Sequence, residues 1–233
     1  MVKPREIPLT LTILVLTAIP GLAQLAWPVL LTRFERDPVA IADGEWWRLV
    51  TTLVFQDGGV VGTAFNLITL AVLGALAEPL LGRPRWLVLY LGGAAVGEAA
   101  GILFDSVGAG NSVAVCGLAG GLLIAGRRRV GAEIDMAAGA AAFYAMALAG
   151  TGLSKLLAGA GPWVLTAAAI VAGALLWNNR ARVPRWGWPL LGVVVAGALL
   201  TLRDLHGAAL AAGLLLGLAV AGSLGTDAGS ARH

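Results

Sequence analysis

Three polar residues stand where chemistry could occur. Ser112 follows Gly110 and Asn111 at the start of an apolar run. A helix that begins there offers free backbone N–H groups and the positive end of its dipole. That setting suits a serine nucleophile and the oxyanion that develops when it attacks a carbonyl. His206 opens another apolar run, and imidazole is the usual side chain for taking a serine's proton near neutral pH. Asn66 lies within a third run, toward the same end, and its amide could donate to an oxyanion. Each residue also has a plainer role. Ser112 could simply cap its helix, with Gly110 letting the chain turn. His206 could be an interfacial residue bonded to backbone or water, and Asn66 an interhelical hydrogen-bond partner. The chain has two histidines, His206 and His233, and one cysteine, Cys116. A multi-histidine metal site, a cysteine cluster and an internal disulfide are therefore excluded, and no cofactor or metal is implied.

The elements that must position these residues follow from composition. Of 233 residues, 58% are hydrophobic and 12% charged, against about 25% charged in a soluble domain. Such a chain is not an ordinary cytosolic enzyme, a disulfide scaffold, a disordered tail or a nucleic-acid binder. Its apolar runs are continuous rather than alternating, which speaks against an outer-membrane barrel and for a polytopic helical membrane protein. A crossing helix needs about 20 mostly apolar residues. Candidate spans lie near 8–31, 60–81, 86–104, 111–126, 133–152, 161–178, 187–202 and 205–224. The runs at 111–126 and 187–202 are short and need burial among neighbours or a thinned bilayer. The first run, after Lys3 and Arg5, is longer than the apolar part of a signal peptide and reads as an uncleaved helix.

With the N-terminus inside and eight crossings, the inner segments hold eleven basic residues (Lys3, Arg5, Arg83, Arg85, Arg127, Arg128, Arg129, Arg180, Arg182, Arg185 and Arg232). The outer segments hold five (Arg33, Arg36, Arg48, Lys155 and Arg203), so both termini are expected inside. The net charge of +3 is thus a topology signal, and all eight tryptophans fall near expected span ends. Small residues repeat after both candidate catalytic residues: Gly117, Gly120 and Gly121 after Ser112, and Ala209, Gly213 and Gly217 after His206. Faces of this kind let membrane helices approach closely, either as generic packing or to bring Ser112 and His206 together.

Residues 32–59 are too polar to cross and too apolar for a plain solvated loop. Trp46, Trp47, Leu49, Val50, Leu53, Val54 and Phe55 could lie in the interface, with Arg33, Glu35, Arg36 and Asp37 facing water. A membrane-hugging linker and a structured loop beside a site both fit. Glu78 falls near a helix end and is expected to tie helix ends together. Glu98 lies inside a span, where burial favours the neutral carboxyl. Cys116 lies one turn below Ser112, and a buried thiol without a positive neighbour is inert.

Taken together, these residues resemble the rhomboid family of intramembrane serine proteases over roughly 44–126 and 204–217. Glu45-Trp46-Trp47-Arg48 with Thr51 and Phe55 resembles the family's E-x-W-R-x-x-T-x-x-F stretch in its first outer loop. Asn66 falls where the family has its span-two Asn. Gly74, Glu78 and Gly82 fit G-x-x-x-E-x-x-x-G, and Arg85 and Tyr90 fit the R and Y that follow. Gly110-Asn111-Ser112 with Gly117-Leu118 resembles G-x-S-G…G-L, and His206 to Ala209 with Gly213 resembles H-x-x-G-x-x-x-G. The resemblance implies Ser112 as nucleophile and His206 as general base. It implies the Asn66 amide and the Ser112 backbone N–H as oxyanion donors, and no cofactor. Substrates would be transmembrane helices that unwind locally, cleaved through an acyl-enzyme.

Four departures accompany it. The family's F-x-H-x-x-x-x-H-x-x-x-N register reads here Phe55, Asp57, Gly62 and Asn66, without either histidine. Val113 replaces the glycine after the serine, with a branched side chain that could crowd Ser112. Cys116 stands where an aromatic supports the histidine. The stretch between nucleophile and base is longer by two expected spans, which preserves parity.

The expected fold is all-α, a rhomboid-like bundle of about eight spans (a six-span core plus two extra), both termini inside, with an interfacial loop after the first span. Residues 1–224 form one domain, with loop 32–59 and a two-span insertion within 133–202, and 225–233 a flexible tail. The expected function is an intramembrane serine protease of the cell membrane, acting on transmembrane protein substrates in the bilayer, with no nucleic-acid partner. The alternatives are an inactive rhomboid-like protein that binds transmembrane clients, and a transporter using Glu98. The latter lacks any inverted repeat.

Overall fold

The computed structural model describes residues 6–128, 131–155 and 162–222. The expected tail at 225–233 lies outside them. The helices are α1 (Pro8–Ala26), α2 (Val29–Phe34), α3 (Pro38–Ala42), α4 (Arg48–Thr51), α5 (Gly59–Leu81), α6 (Arg83–Leu103), α7 (Ser112–Arg128), α8 (Ala132–Ser154), α9 (Pro162–Asn178), α10 (Gly187–Thr201) and α11 (Leu205–Gly222). The eight long ones fall on the eight expected runs. Among the described residues, α1, α5, α6 and α8 are long and apolar enough to cross a bilayer by length and composition.

The short α7 is the centre of the molecule. It packs against α5, α6, α8, α10 and α11, and every residue from Val113 to Gly126 is buried. A helix of 17 residues spans about 25 Å, less than the ~30 Å hydrocarbon core. Burial on all sides removes the need for it to match the lipid. The other short run behaves differently. α10 buries Trp188, Gly192, Val195, Ala196 and Leu199 but leaves Leu190, Val193 and Val194 exposed.

Glycine is what lets α7 sit so close to its neighbours. An added Cβ at Gly213 of α11 would lie 2.4 Å from the Gly117 carbonyl oxygen, and one at Gly117 would lie 2.0 Å from the Leu89 carbonyl oxygen of α6. Gly93 of α6 would meet Gly117 Cα at 2.6 Å, and Gly120 would meet Leu214 N at 2.5 Å. Here backbones touch backbones, so no larger residue can be absorbed by a rotamer change. The expected small-residue faces therefore do bring the Ser112 and His206 helices together.

Glu78 ties helix ends, as expected. Its carboxylate accepts from the Leu9 and Thr10 backbone N–H groups at 3.1 and 2.8 Å and from the Thr10 hydroxyl at 2.8 Å. These are first-turn donors of α1 that lack intrahelical partners, at the positive end of its dipole. Arg83 Nε donates to the same carboxylate at 3.2 Å. Not every tryptophan marks an interface. Trp27, Trp46 and Trp186 are exposed, but Trp86 and Trp188 are wholly in the core. Trp86 is there because its indole N–H finds the Gly74 carbonyl at 3.2 Å and its ring stacks on Tyr90.

Replacing Gly213 by valine should push α11 off α7 and cost about 1–3 kcal/mol, the usual penalty of overpacking. Gly197→Val, where an added Cβ has nothing within 4 Å, should leave stability near wild type. Thermal unfolding of the detergent-solubilised variants checks both.

Candidate active site

Ser112 and His206 meet. Ser112 Oγ lies 2.9 Å from His206 Nε2, a nucleophile-to-base hydrogen-bond distance. Both residues stand at helix N-termini, since α7 starts at Ser112 and α11 at Leu205. Three helices, α8 to α10, run between them in the chain, an odd number that returns His206 to the same end as Ser112. A cavity of about 200 Å³ opens over the pair, lined among others by Asp57, Gly108, Gly110, Lys155 and Arg203.

His206 has a partner that the sequence reading missed. Its Nδ1 lies 2.6 Å from Asp204 Oδ1, which also accepts the His206 backbone N–H at 3.1 Å. Asp204 Oδ2 receives Lys155 Nζ at 2.9 Å. Burial alone would push the Asp204 carboxyl up. Its hydrogen bond and attraction to His206, and then to Lys155, outweigh that and hold it well below the usual carboxylate range. A signal existed in the sequence: an aspartate just before an apolar run is an N-cap pattern, and here the cap sits two residues before the histidine.

Asn66 comes to the same place. An added Cβ at Gly110 would lie 3.0 Å from Asn66 Nδ2, 3.3 Å from Ser112 Oγ and 3.6 Å from Gln56 Oε1. The three polar atoms thus surround one point that only a glycine leaves open. Asn66 Nδ2 donates to Gln56 Oε1 at 2.8 Å. Gln56 is itself fixed from α1, where Gln24 accepts its backbone N–H at 2.9 Å and donates to its carbonyl. Tyr144 on α8, which no sequence pattern marked, donates its hydroxyl to the Ser112 carbonyl at 2.9 Å. Cys116 is fully buried, with its Sγ 3.9 Å from that same hydroxyl.

Two departures from the family pattern have local explanations. A Cβ at position 62 would lie 2.1 Å from the Asp57 carbonyl oxygen, so no side chain fits there in this backbone. Val113 does not crowd the serine from outside. It is 1% exposed and fills the room left by Gly97 on α6, where an added Cβ would be 2.7 Å from Val113 Cβ.

The 32–59 loop is a structured scaffold of the site. Arg36 and Gly108 pair as an isolated β-bridge, with N–H to carbonyl distances of 2.9 and 3.1 Å. The Gly110 N–H donates to the Thr52 carbonyl at 2.8 Å and the Asp57 N–H to the Ala109 carbonyl at 2.9 Å. These bonds hold the strand-like 106–110 segment that leads into Ser112. Arg48 knots the loop by donating to the Thr32 and Glu35 carbonyls at 3.1 and 2.9 Å and to Glu45 at 2.6 Å. Thr51 donates to the Phe34 carbonyl at 2.8 Å, and Phe34 stacks on Phe55 at 5.0 Å. The spacing of Glu45, Arg48, Thr51 and Phe55 is thus that of one folded knot.

Arg36 corrects the expectation that it faces water. It is 4% exposed and its guanidinium reaches both oxygens of Glu98 at 3.0 Å and the Ser106 carbonyl at 2.7 Å. Glu98, which had no partner in the sequence reading, has one here. Trp46, Trp47 and Val50 are exposed on the other side of the loop, as an interfacial placement requires.

Residues 43–151 match the Rhomboid domain family. Two proteins of Bacillus subtilis (strain 168) are similar to the chain. The rhomboid protease GluP is 39% identical over 84 residues, covering 36% of this chain and 16% of that protein. YdcA, provisionally named a rhomboid protease, is 29% identical over 106 residues, covering 44% and 51%. The chain thus spans at most about half the length of these curated relatives. No solved structure matches significantly. The match places a Rhomboid-like region at residues 43–151, and with the four long apolar helices it indicates an integral membrane protein.

Removing Arg36 should strand a buried carboxylate. Arg36→Ala is expected to cost about 3–5 kcal/mol, whereas the apolar pair Arg36→Met with Glu98→Leu should recover most of it. Thermal unfolding of the two variants measures the difference.

Proposed function

We propose that this protein is an active intramembrane serine protease, with Ser112 as nucleophile and His206 as general base. The observation that carries this reading is the 2.9 Å contact between Ser112 Oγ and His206 Nε2 at the floor of an open cavity. Ser112 Oγ attacks the scissile carbonyl while Nε2 takes its proton. The tetrahedral oxyanion collapses, the peptide C–N bond breaks, and the imidazolium returns the proton to the leaving amine. Water then attacks the acyl-enzyme with His206 again as base, releasing the new carboxylate and restoring Ser112.

The oxyanion is received by the Ser112 backbone N–H and the Asn66 amide. Gln56 holds one amide hydrogen of Asn66 and leaves the other for the substrate, an orienting part that compensates for the absent histidine at 62. The substrate is a transmembrane helix that enters from the bilayer and unwinds over the site, across a polar cavity that admits the hydrolytic water. The protein is proposed to cross the membrane eight times with both termini inside. Residues 1–224 form its single domain, with two helices beyond a six-span core.

Fluorophosphonate labelling of detergent-solubilised protein tests the reading. Wild type should label, and Ser112→Ala and His206→Ala should not. Folded wild type that never labels and cleaves no membrane substrate would overturn it in favour of client binding. Asn66→Ala should lower kcat for a reconstituted transmembrane substrate by about 10²–10³-fold, the usual loss for one oxyanion donor, with the melting temperature near wild type.

A further inference from the structure

We propose that Asp204 is a positioning residue that, through Nδ1, fixes His206 as the tautomer whose bare Nε2 faces Ser112. The inference rests on reading Ser112 and His206 as nucleophile and base. It adds a third member to the Ser112–His206 pair.

Three observations carry it. Asp204 Oδ1 lies 2.6 Å from the ring nitrogen and 3.1 Å from the backbone N–H of the same histidine. One oxygen therefore fixes the ring relative to its own main chain at the first turn of α11. The second oxygen is occupied by Lys155 Nζ at 2.9 Å, a residue just beyond the end of α8. The carboxylate is thus clamped between two elements and cannot rotate away without breaking both bonds. Its side chain is only 7% exposed, against 22% for His206, so water competes poorly for it.

The chemistry follows from donor counting. An ionised carboxylate only accepts hydrogen bonds, and neutral imidazole carries one N–H. The nitrogen facing Asp204 must therefore hold the proton. That leaves Nε2 as the acceptor, the state the Ser112 hydroxyl needs. When Nε2 takes the serine proton, the imidazolium formed lies against a fixed negative charge, as in other Ser-His-Asp hydrolases. Asp204 stays ionised throughout and moves no proton.

Histidine-selective ¹⁵N labelling reads this directly, because the chain has two histidines and His233→Ala identifies the second signal. Under conditions where the ring is neutral, full-length protein in liposomes should show His206 protonated at Nδ1. In Asp204→Asn the amide oxygen is drawn to Lys155, so the amide NH₂ faces the ring and moves the ring proton to Nε2. That variant should label with fluorophosphonate about 10²–10⁴-fold more slowly, with KM for a transmembrane substrate little changed. A wild-type ring protonated at Nε2 would sink the proposal, and this needs no variant that folds. So would Asp204→Asn with the wild-type tautomer and labelling rate. A ring protonated at Nδ1 in a protein whose Ser112 never labels would support the Asp204 contact and count against the protease reading alone.

Discussion

The contact between α7 and α11 is the constraint on which the rest of the structure depends. A serine and a histidine far apart in the chain can share a hydrogen bond inside a membrane protein only if their helices run side by side with little between them. Here nothing lies between them, since Gly117 and Gly213 bring the two backbones into van der Waals contact. Lipid offers no hydrophobic drive for that approach, so dispersion between close backbones must supply it. The same contact explains why α7 can be short. It is enclosed by five other helices and has no lipid thickness to match.

A second layer of structure holds the N-terminal end of α7. The 106–110 segment would be a free loop were it not paired to residues 36, 52 and 57 through main-chain bonds. Those residues are held in turn by Arg36 on Glu98 and by the Arg48 knot. Side chains that look like surface charges in the chain are thus internal struts. Their polar groups are satisfied by carbonyls and carboxylates, so a polar loop can sit against an apolar bundle at tolerable cost. Asp204 does the same at the turn before α11, with Lys155 reaching it from the end of α8.

Much of this was legible from residue types alone. The eight apolar runs, the glycine faces and the depth of Ser112 and His206 follow from periodicity and from the expense of polar groups in lipid. Glu78 was readable as a helix tie because it stands near a span end. Arg36 was not, because its partner Glu98 is 62 positions away and charge patterning alone sends an arginine outward. Trp86 and Trp188 lie near helix ends as expected, but their burial was not legible. Tryptophan is favoured at interfaces because its N–H wants a partner, and Trp86 finds that partner at Gly74 inside the bundle. Tyr144 carried no signal at all, since only packing brings α8 beside Ser112. Asp204 did carry one, as a cap residue at a helix start.

Gly62 bears on how such a site can change over time. The Asp57 carbonyl occupies the volume that any side chain at 62 would need. A histidine therefore cannot be placed there by one substitution. The backbone at 57 would have to move first, and it is bonded to Ala109 beside the nucleophile. Gly62 and the Asp57–Ala109 bond are thus tied together: a side chain at 62 requires that bond to shift. Lineages that share this loop geometry should keep both, whatever else they exchange around them.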